Sequence, residues 1–258
     1  MSGQAPPGRL VVVGLGPGHR DWITPEADRA LAEATDLVGY APYVARVPER
    51  AGLVRHASDN RVELDRARDA LALAASGRKV AVVSGGDPGI FAMASAVMEA
   101  LEVGDPAWRD LDIAVLPGVS AMQAAAARLG APLGHDFCVI SLSDNLKPWS
   151  VVARRLVAAS EADFVIALYN PASKARPGQI HEAFALLRAH RDATIPVVFA
   201  RAVGRPDERI LVTTLAQADP GVADMSTLVL VGSSETRLVP RSRGEPWLYT
   251  PRHYGGAR

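Results

Sequence analysis

Apolar, β-branched runs alternate with stretches rich in alanine and leucine along most of this chain. The apolar runs predict strands, and several are apolar throughout, as is typical of strands covered on both faces. Strand and helix in regular alternation define the α/β class. The predicted strands are 9–15, 36–40, 79–85, 112–118, 137–142, 163–170, 195–200, 208–215 and 226–232. The predicted helices are 24–34, 61–76, 89–102, 119–129, 148–160 and 178–190.

The connections between the predicted strands change character along the chain. The first half consists of repeated strand–helix–strand units, whereas the segment 195–215 holds two strands with a short connection, which predicts a hairpin and a mixed sheet. We therefore predict two α/β domains with mixed sheets, residues 1–118 and 119–240, and a cleft between them. Residues 241–258 are polar and rich in proline and glycine, and we predict that they form a surface extension.

Composition narrows the functional class. Of the 258 residues, 48% are hydrophobic, and 28 basic residues balance 28 acidic ones, so no global charge favours nucleic acid or an anionic membrane. No apolar run reaches the roughly 18 residues of a membrane span, and we predict a cytoplasmic protein. Cys138 is the single cysteine and the histidines lack metal-site spacing, so no metal site is predicted.

The first glycine-rich loop, "VVVGLGPGHRDWITP", follows a predicted strand and invites comparison with dinucleotide-binding loops. The third glycine of that fingerprint is replaced by His19, and the next helix signal comes only at Thr24. The following predicted strand ends in Tyr40 rather than in the acid that would hold a ribose. A nicotinamide-dependent reductase is therefore disfavoured, although it stays the alternative from another enzyme class.

A second loop, "SGGDPGIF" (84–91), places three glycines and a proline around a single carboxylate, Asp87. Glycine lacks a Cβ, so a ligand could approach the backbone closely at Gly85 and Gly86. The same loop could also be a turn in which Asp87 caps the following helix. Both interpretations stay open on the residues alone.

Four stretches, in this order and spacing, resemble the tetrapyrrole methylases, which are class III methyltransferases that use S-adenosylmethionine: "VVVGLGPGHRDWITPEADRAL", "SGGDPGIFAMA", "LPGVSAMQAAAARLGAPLGHDFCVISLSD" and "ALYNPASKARPGQI". The resemblance covers about residues 9–240. Three stretches are similar in particular to the branch that methylates precorrin-3B at carbon 17 and contracts the ring to give precorrin-4: "HASDNRVELDRA", "GHDFCVISLSDNLKPW" and "YNPASKARP". A family member that acts at another ring position or on a cobalt-containing intermediate, and a noncatalytic binding module, stay as alternatives.

The resemblance implies that S-adenosylmethionine binds between the two domains, largely through backbone groups. Asp87 would face its ribose diol or its cation, while Ile90 and Phe91 would begin a helix and form a wall against the adenosine. Ser120 and Ala121 would open a helix whose N–H groups suit a ribose hydroxyl or an anionic group. The implied cofactor contacts are Pro17, Gly85, Gly86, Asp87, Ile90, Phe91, Ser120, Ala121, Tyr169, Val203 and Thr227.

The implied substrate is a macrocycle edged with carboxylates, which calls for cationic side chains and backbone donors. Ring contraction also needs proton transfer, for which Tyr40, His56 and Asp59 are chemically suitable. The resemblance further implies a homodimer. The implied substrate contacts are Gly16, His19, Arg61, Lys147, Lys174 and Arg176, with Arg20, Arg46 and His56 as further candidate cations.

Overall fold

The computed structural model describes residues 8–59, 62–173, 175–243 and 245–255, so the predicted substrate contacts Arg61 and Lys174 lie outside the described residues. The chain divides into two compact units, residues 1–120 and 121–258. Each unit carries a five-stranded sheet with helices, which confirms the α/β class. Within the described part of the chain, no helix is both long and apolar enough to cross a membrane.

The sheet of the first unit is parallel at each of its four strand pairings. Its strand order is β3-β2-β4-β1-β5. Because all five strands run in the same direction, their carboxyl ends lie at one end of the sheet, which we call its carboxyl edge. Parallel sheets of this kind commonly bind ligands at that edge. The strands are β1 (Arg9–Gly14), β2 (Asp36–Tyr40), β3 (Val54–Ser58), β4 (Lys79–Ser84) and β5 (Asp112–Leu116).

Helices cover both faces of this first sheet, which explains why strands such as β1 are apolar throughout. On one face Leu10 and Val12 lie in a cluster with residues of α3 and α4, and on the other Val11 and Val13 lie with residues of α1. Thr24 caps α1 as its sequence predicts, because its hydroxyl accepts the N–H of Ala27. The helices are α1 (Pro25–Glu33), α2 (Ala41–Val44), α3 (Glu63–Ala75) and α4 (Met93–Val103).

The second unit holds a mixed sheet of order β10-β9-β11-β8-β7 and a small sheet of order β12-β13-β6. Strands β7 and β8 pair in parallel, whereas β9 and β10 form the predicted antiparallel hairpin. The elements are α5 (Ala121–Leu129), β6 (Gly130–Ala131), β7 (Phe137–Ser141), α6 (Trp149–Glu161), β8 (Val165–Tyr169), α7 (Gln179–His190), β9 (Pro196–Arg201), β10 (Arg209–Thr214), β11 (Thr227–Val231), β12 (Arg237–Val239) and β13 (Trp247–Tyr249).

The nine predicted strands are confirmed to within two residues at each end. Four strands of the described residues are missing from the prediction: β3, β6, β12 and β13. Strand β3 was missed because "VRHAS" is only partly buried at the edge of its sheet and carries Arg55 and His56. Strand β13 lies within the predicted surface extension 241–258, yet it pairs with β12 and β6 and its Leu248 is buried. One helix start is wrong. The helix predicted from residue 89 begins at Met93, since Phe91 has a left-handed φ of 51° and Ala92 is extended.

Candidate active site

Three loops meet at the carboxyl edge of the first sheet, one after each of β1, β4 and β5. The loops after β1 and β4 are joined by two backbone hydrogen bonds. Gly16 N–H donates to the Gly86 carbonyl at 3.1 Å, and Gly86 N–H donates to the Gly16 carbonyl at 2.9 Å. Gly16 is buried. Its backbone polar groups therefore brace a neighbouring loop, and its contact with substrate stays a prediction.

The Asp87 side chain ties the loop after β4 to the loop after β5. One carboxylate oxygen accepts the Gly118 N–H at 3.0 Å, and the other accepts the Gly89 N–H at 2.8 Å. The interpretation of Asp87 as a helix cap is wrong, because α4 begins six residues later with Ala92 at its N-cap. A carboxylate has about four lone-pair sites, so two bonds to backbone leave capacity for a ligand.

Larger residues are excluded from the glycine positions at this edge, either because a Cβ would clash with neighbouring protein atoms or because the backbone has a positive φ. A Cβ on Gly85 would lie within 2.7–2.9 Å of the ring and hydroxyl of Tyr43. A Cβ on Gly118 would lie 2.4 Å from the Gly86 carbonyl oxygen. Gly86 itself has a φ of 68°, which L-residues rarely adopt. The space that the sequence assigned to a ligand at Gly85 is therefore filled by Tyr43.

Arg46 holds the first glycine-rich loop from its own unit. Its guanidinium donates to the carbonyls of Leu15 at 2.7 Å, Gly16 at 2.9 Å and Gly18 at 3.3 Å. This side chain had been a candidate for substrate carboxylates, and the structure instead places it on three loop carbonyls. Arg46 is a residue whose role the sequence could not indicate, because its partners lie about 30 residues earlier in the chain.

The other residues predicted in this first loop are partly or fully exposed. Pro17 is half-buried. His19 is exposed, and its ring nitrogen accepts the Asp21 N–H at 3.2 Å. Arg20 forms an exposed ion pair of 3.7 Å with Asp28. Pro17 and His19 stay predicted contacts for cofactor and substrate respectively.

The aromatic residue Phe91 follows Asp87 by four residues in the same loop. Phe91 is 52% exposed in spite of its size, and Ile90 is half-buried. A carboxylate suits a ribose diol or a sulfonium cation, and an exposed aromatic ring suits an adenine face. The residues of the 84–91 loop thus fit the chemistry of S-adenosylmethionine.

Two of the three predicted acid–base residues lie at this same edge. Tyr40 ends β2 in register with Ser58, the last residue of β3, and the exposed Asp59 follows directly. His56 is directed elsewhere, because its Nε2 lies 2.9 Å from a carboxylate oxygen of Asp36 at the start of β2. The structure therefore places Tyr40 and Asp59 at the carboxyl ends of two neighbouring strands, and it binds the His56 ring to Asp36 at the other end of β2.

Asp36 is the centre of a polar cluster at the amino end of β2. Its carboxylate also accepts hydrogen bonds from Arg78 Nε at 2.6 Å and from the Thr35 hydroxyl at 2.7 Å. Burial alone would raise the pKa of Asp36, but the hydrogen bonds from Arg78, His56 and Thr35 outweigh burial and lower that pKa. His56 is therefore part of a structural hydrogen-bond cluster around Asp36.

Arg66 is a buried cation that the sequence did not single out. Its Nε donates to the Ser58 hydroxyl at 2.8 Å, and its guanidinium also donates to the Asp59 carbonyl. Burial is the main cause that lowers the pKa of Arg66. The signal in the sequence is its place on the buried face of α3, next to Ala67 and one turn before Ala70. Arg66 fixes the backbone from which Asp59 projects.

In the second unit, Tyr169 contacts the first turn of α5. Its hydroxyl accepts the Met122 N–H at 3.1 Å, which satisfies one of the four N–H groups that open a helix. Helix α5 begins at Ala121, two residues after its predicted start, and the preceding Ser120 is only 1% exposed. The Met122 N–H that could have met a ligand is therefore bonded to Tyr169.

Val203 and Thr227 lie at the same edge of the second sheet as Tyr169. Strands β8 and β9 are both antiparallel to β11. The carboxyl ends of β8 and β9 therefore lie beside the amino end of β11. Thr227 pairs in register with Arg201, and its hydroxyl donates to Asp224 at 2.7 Å. Val203 is buried. Both stay predicted cofactor contacts.

The remaining predicted substrate contacts, Lys147 and Arg176, lie near the end of β7. Lys147 Nζ donates to the Ser143 carbonyl at 3.1 Å. Arg176 is only 8% exposed, and its guanidinium donates to the Leu142 carbonyl at 3.4 Å. Among the residues that the structure describes, no group of three or more potential metal ligands occurs.

The comparisons with known proteins agree with this arrangement. A family model described as Tetrapyrrole (Corrin/Porphyrin) Methylases matches residues 9–219, so the chain belongs to this family of methyltransferases. It is 58% identical over 250 residues to Precorrin-3B C(17)-methyltransferase of Sinorhizobium sp, covering 97% of this chain and 98% of that protein.

Two further comparisons extend this result. The chain is 42% identical to the Probable cobalt-factor III C(17)-methyltransferase of Salmonella typhimurium, covering 95% of this chain and 99% of that protein. The crystal structure of the methyltransferase CobJ superposes with a TM-score of 0.90 at 55% identity, covering 95% of this chain and all of that one. The fold class and the family predicted from the sequence are thereby confirmed.

Proposed function

We propose that this chain transfers the methyl group of S-adenosylmethionine to carbon 17 of precorrin-3B and contracts the macrocycle to give precorrin-4. The observation that carries the proposal is the 58% identity, over nearly the full length of both chains, to a Precorrin-3B C(17)-methyltransferase. The three joined loops at the carboxyl edge of the first sheet support it, because they offer a carboxylate, backbone groups and an exposed aromatic ring.

S-adenosylmethionine supplies a methyl group on a positively charged sulfur, so transfer is an in-line displacement that depends on orientation and on exclusion of water. The chain contributes rigid backbone. Arg46 and Gly86 fix the loop after β1, and Asp87 fixes the loop after β4 against Gly118. Phe91 is the side chain that we assign to the adenine face. Loops held in this way lose little further entropy when the cofactor binds.

Ring contraction needs a side chain that gives or takes a proton, in addition to orientation. We assign this role to Tyr40, which ends β2, and to Asp59, which directly follows the neighbouring strand β3. Arg66 holds the Ser58 hydroxyl and the Asp59 carbonyl, so it restricts where the Asp59 carboxylate can lie. His56 is left out, because its ring binds Asp36.

The proposal is tested by incubating the protein with precorrin-3B and S-adenosylmethionine that carries an isotopic label in its methyl group. We expect the label at carbon 17 of a contracted product, identified by magnetic resonance and mass spectrometry. Label at another carbon would assign the chain to a different reaction of the same family.

A second candidate substrate is a cobalt-containing macrocycle, which the 42% identity to the Salmonella typhimurium protein favours. The higher identity to the Sinorhizobium protein supports the cobalt-free substrate as our first candidate. Side-by-side turnover of precorrin-3B and of cobalt-factor III, at equal concentration and without added cobalt, decides between them.

A homodimer and a cytoplasmic location complete the proposal. Leu238, Val239 and Trp247 on β12 and β13 are each 43% exposed, and such apolar side chains are the kind that a second copy would cover. Light scattering at micromolar concentration tests the dimer, and a mass of one chain would exclude it. Cell fractionation tests the location.

A further inference from the structure

A cluster of positive charge lies in the second unit around the loop that follows β7. We define it as the β7-loop cluster, formed by Lys147, Arg155 of α6 and Arg176. Burial lowers the pKa of Lys147, and the charges of Arg155 and Arg176 lower it further, while Asp144 opposes them. The Lys147 ammonium group and the Arg176 guanidinium donate to the carbonyls of the adjacent residues Ser143 and Leu142, and like charges gathered in this way favour an anionic ligand.

Arg176 is the buried member of the β7-loop cluster, and its charge is only partly neutralised. Its Nε lies 3.9 Å from Asp144, which is longer than a hydrogen bond, and it is 8% exposed. The other oxygen of Asp144 accepts a hydrogen bond of 2.9 Å from Gln179. A guanidinium removed from water with so loose a counter-charge is stabilised when a second carboxylate approaches.

The β7-loop cluster adjoins the edge that carries Tyr169. Leu142 links the two directly, because its N–H donates to the Tyr169 carbonyl at 2.9 Å and its carbonyl accepts the Arg176 guanidinium at 3.4 Å. Leu146, in the same loop, is 92% exposed. Leu146 directly precedes Lys147, and an exposed apolar side chain next to a cationic one matches a ligand with an apolar face and an anionic rim.

We propose that Lys147, Arg155 and Arg176 form a subsite for one carboxylate of the macrocycle, with Leu146 against its apolar face. This inference rests on the proposed function, because it assumes a carboxylate-edged tetrapyrrole. It adds Arg155 and Leu146 to the recognition of that substrate and makes Asp144 the group that keeps Arg176 in place. The subsite orients the macrocycle and takes no part in bond making.

Two neighbouring arginines of α6 provide a matched test. Arg154 and Arg155 are neighbours on α6 and both are exposed, and the charge of Arg155 is one of those that lower the pKa of Lys147. We expect R155Q to raise the KM for precorrin-3B by about 2- to 5-fold, as for an exposed charge pair. K147Q should raise it by about 10- to 100-fold, the range of a hydrogen bond to a charged group, with a smaller change in kcat.

R154Q should leave the KM as it is, and K147R should restore most of the affinity lost in K147Q. The affinity for S-adenosylmethionine, measured by calorimetry, should be equal in all four variants. The KM of the unaltered protein should rise with added salt, and that rise should be smaller in K147Q. Equal KM values for K147Q, R155Q and R154Q would overturn the subsite.

A binding measurement separates this inference from the proposed function. If the protein does not methylate precorrin-3B, the proposed function fails. The subsite is then judged on equilibrium binding of uroporphyrin I, a fluorescent tetrapyrrole edged with carboxylates. Weaker binding by K147Q and R155Q than by R154Q supports the subsite, and equal binding by the three overturns it.

Discussion

Asp87 accepts the backbone N–H of Gly118, 31 residues further along the chain, at 3.0 Å from one carboxylate oxygen. The other oxygen accepts the Gly89 N–H two residues away. One side chain therefore shapes its own loop and fastens it to the next loop at the same edge of the sheet. The glycines around it make that approach possible, since a Cβ on Gly118 would meet the Gly86 carbonyl.

Asp87→Ala should lower the free energy of unfolding without any ligand by about 1–3 kcal/mol, because the Gly118 N–H loses its partner. The affinity for S-adenosylmethionine should fall by a similar amount. Denaturant unfolding and calorimetry measure the two effects. Asp219→Ala is the matched control, since Asp219 makes the same local bond to Gly221 and should change stability without changing that affinity.

Gly85→Ala should weaken binding of S-adenosylmethionine, because the added methyl group displaces the Tyr43 ring. Overpacking of this kind costs about 1–3 kcal/mol. The same substitution in a Tyr43→Leu background should cost less, and a double-mutant cycle measures the difference. Gly178→Ala is the control, because no atom of the described residues lies within 4 Å of the added Cβ. Equal costs in both backgrounds would remove Tyr43 from the explanation.

Tyr169→Phe should reduce the stability of the protein by about 1 kcal/mol, since the Met122 N–H at the start of α5 loses its acceptor. Binding of S-adenosylmethionine should weaken with it. Tyr254→Phe removes another hydroxyl, from a residue that is 61% exposed, and serves as the control for both measurements. An unchanged cofactor affinity in Tyr169→Phe would show that this end of α5 is not part of the site.

Tyr40→Phe or Asp59→Asn should slow ring contraction by about 100- to 10,000-fold, the usual contribution of an acid or base, while methyl transfer continues. Mass spectrometry and absorption should then detect a methylated, uncontracted macrocycle. His56→Asn should give the contracted product at the normal rate, because its ring binds Asp36. Tyr40 and Asp36 are four residues apart on β2, or roughly 13 Å. Normal contraction in the first two variants and a block in His56→Asn would reverse the assignment.

Asp36→Asn should lower the free energy of unfolding at pH 7 by about 2–4 kcal/mol, since it leaves Arg78 and His56 without a carboxylate and both are partly exposed. The folded pKa of Asp36 lies below its ordinary value of 3.8. Its stabilising effect is therefore complete above about pH 4 and is lost as the pH falls through the folded pKa. Denaturant unfolding from pH 7 to pH 3 should show the gap between the two proteins narrow as the pH falls below about 4, and a constant gap would contradict this.

The periodicity of the chain was sufficient to predict most of its elements. Strands such as β1 and β8 are covered on both faces, so each is one uninterrupted apolar run. Strand β3 lies at an edge and is only partly buried, so its sequence carries no such run. The start of α4 was misplaced because the left-handed backbone at Phe91 depends on how the preceding loop closes.

The sequence by itself determined the fold class, the family and the segments in which the predicted site residues lie, because these follow from local pattern and motif order. Only the tertiary structure decided what each side chain contacts. Asp87 reaches Gly118, Arg46 reaches Gly16, and His56 turns to Asp36 rather than to Tyr40. These partners are 20 to 31 residues apart in sequence, and they meet only because parallel strands bring distant segments to the same sheet.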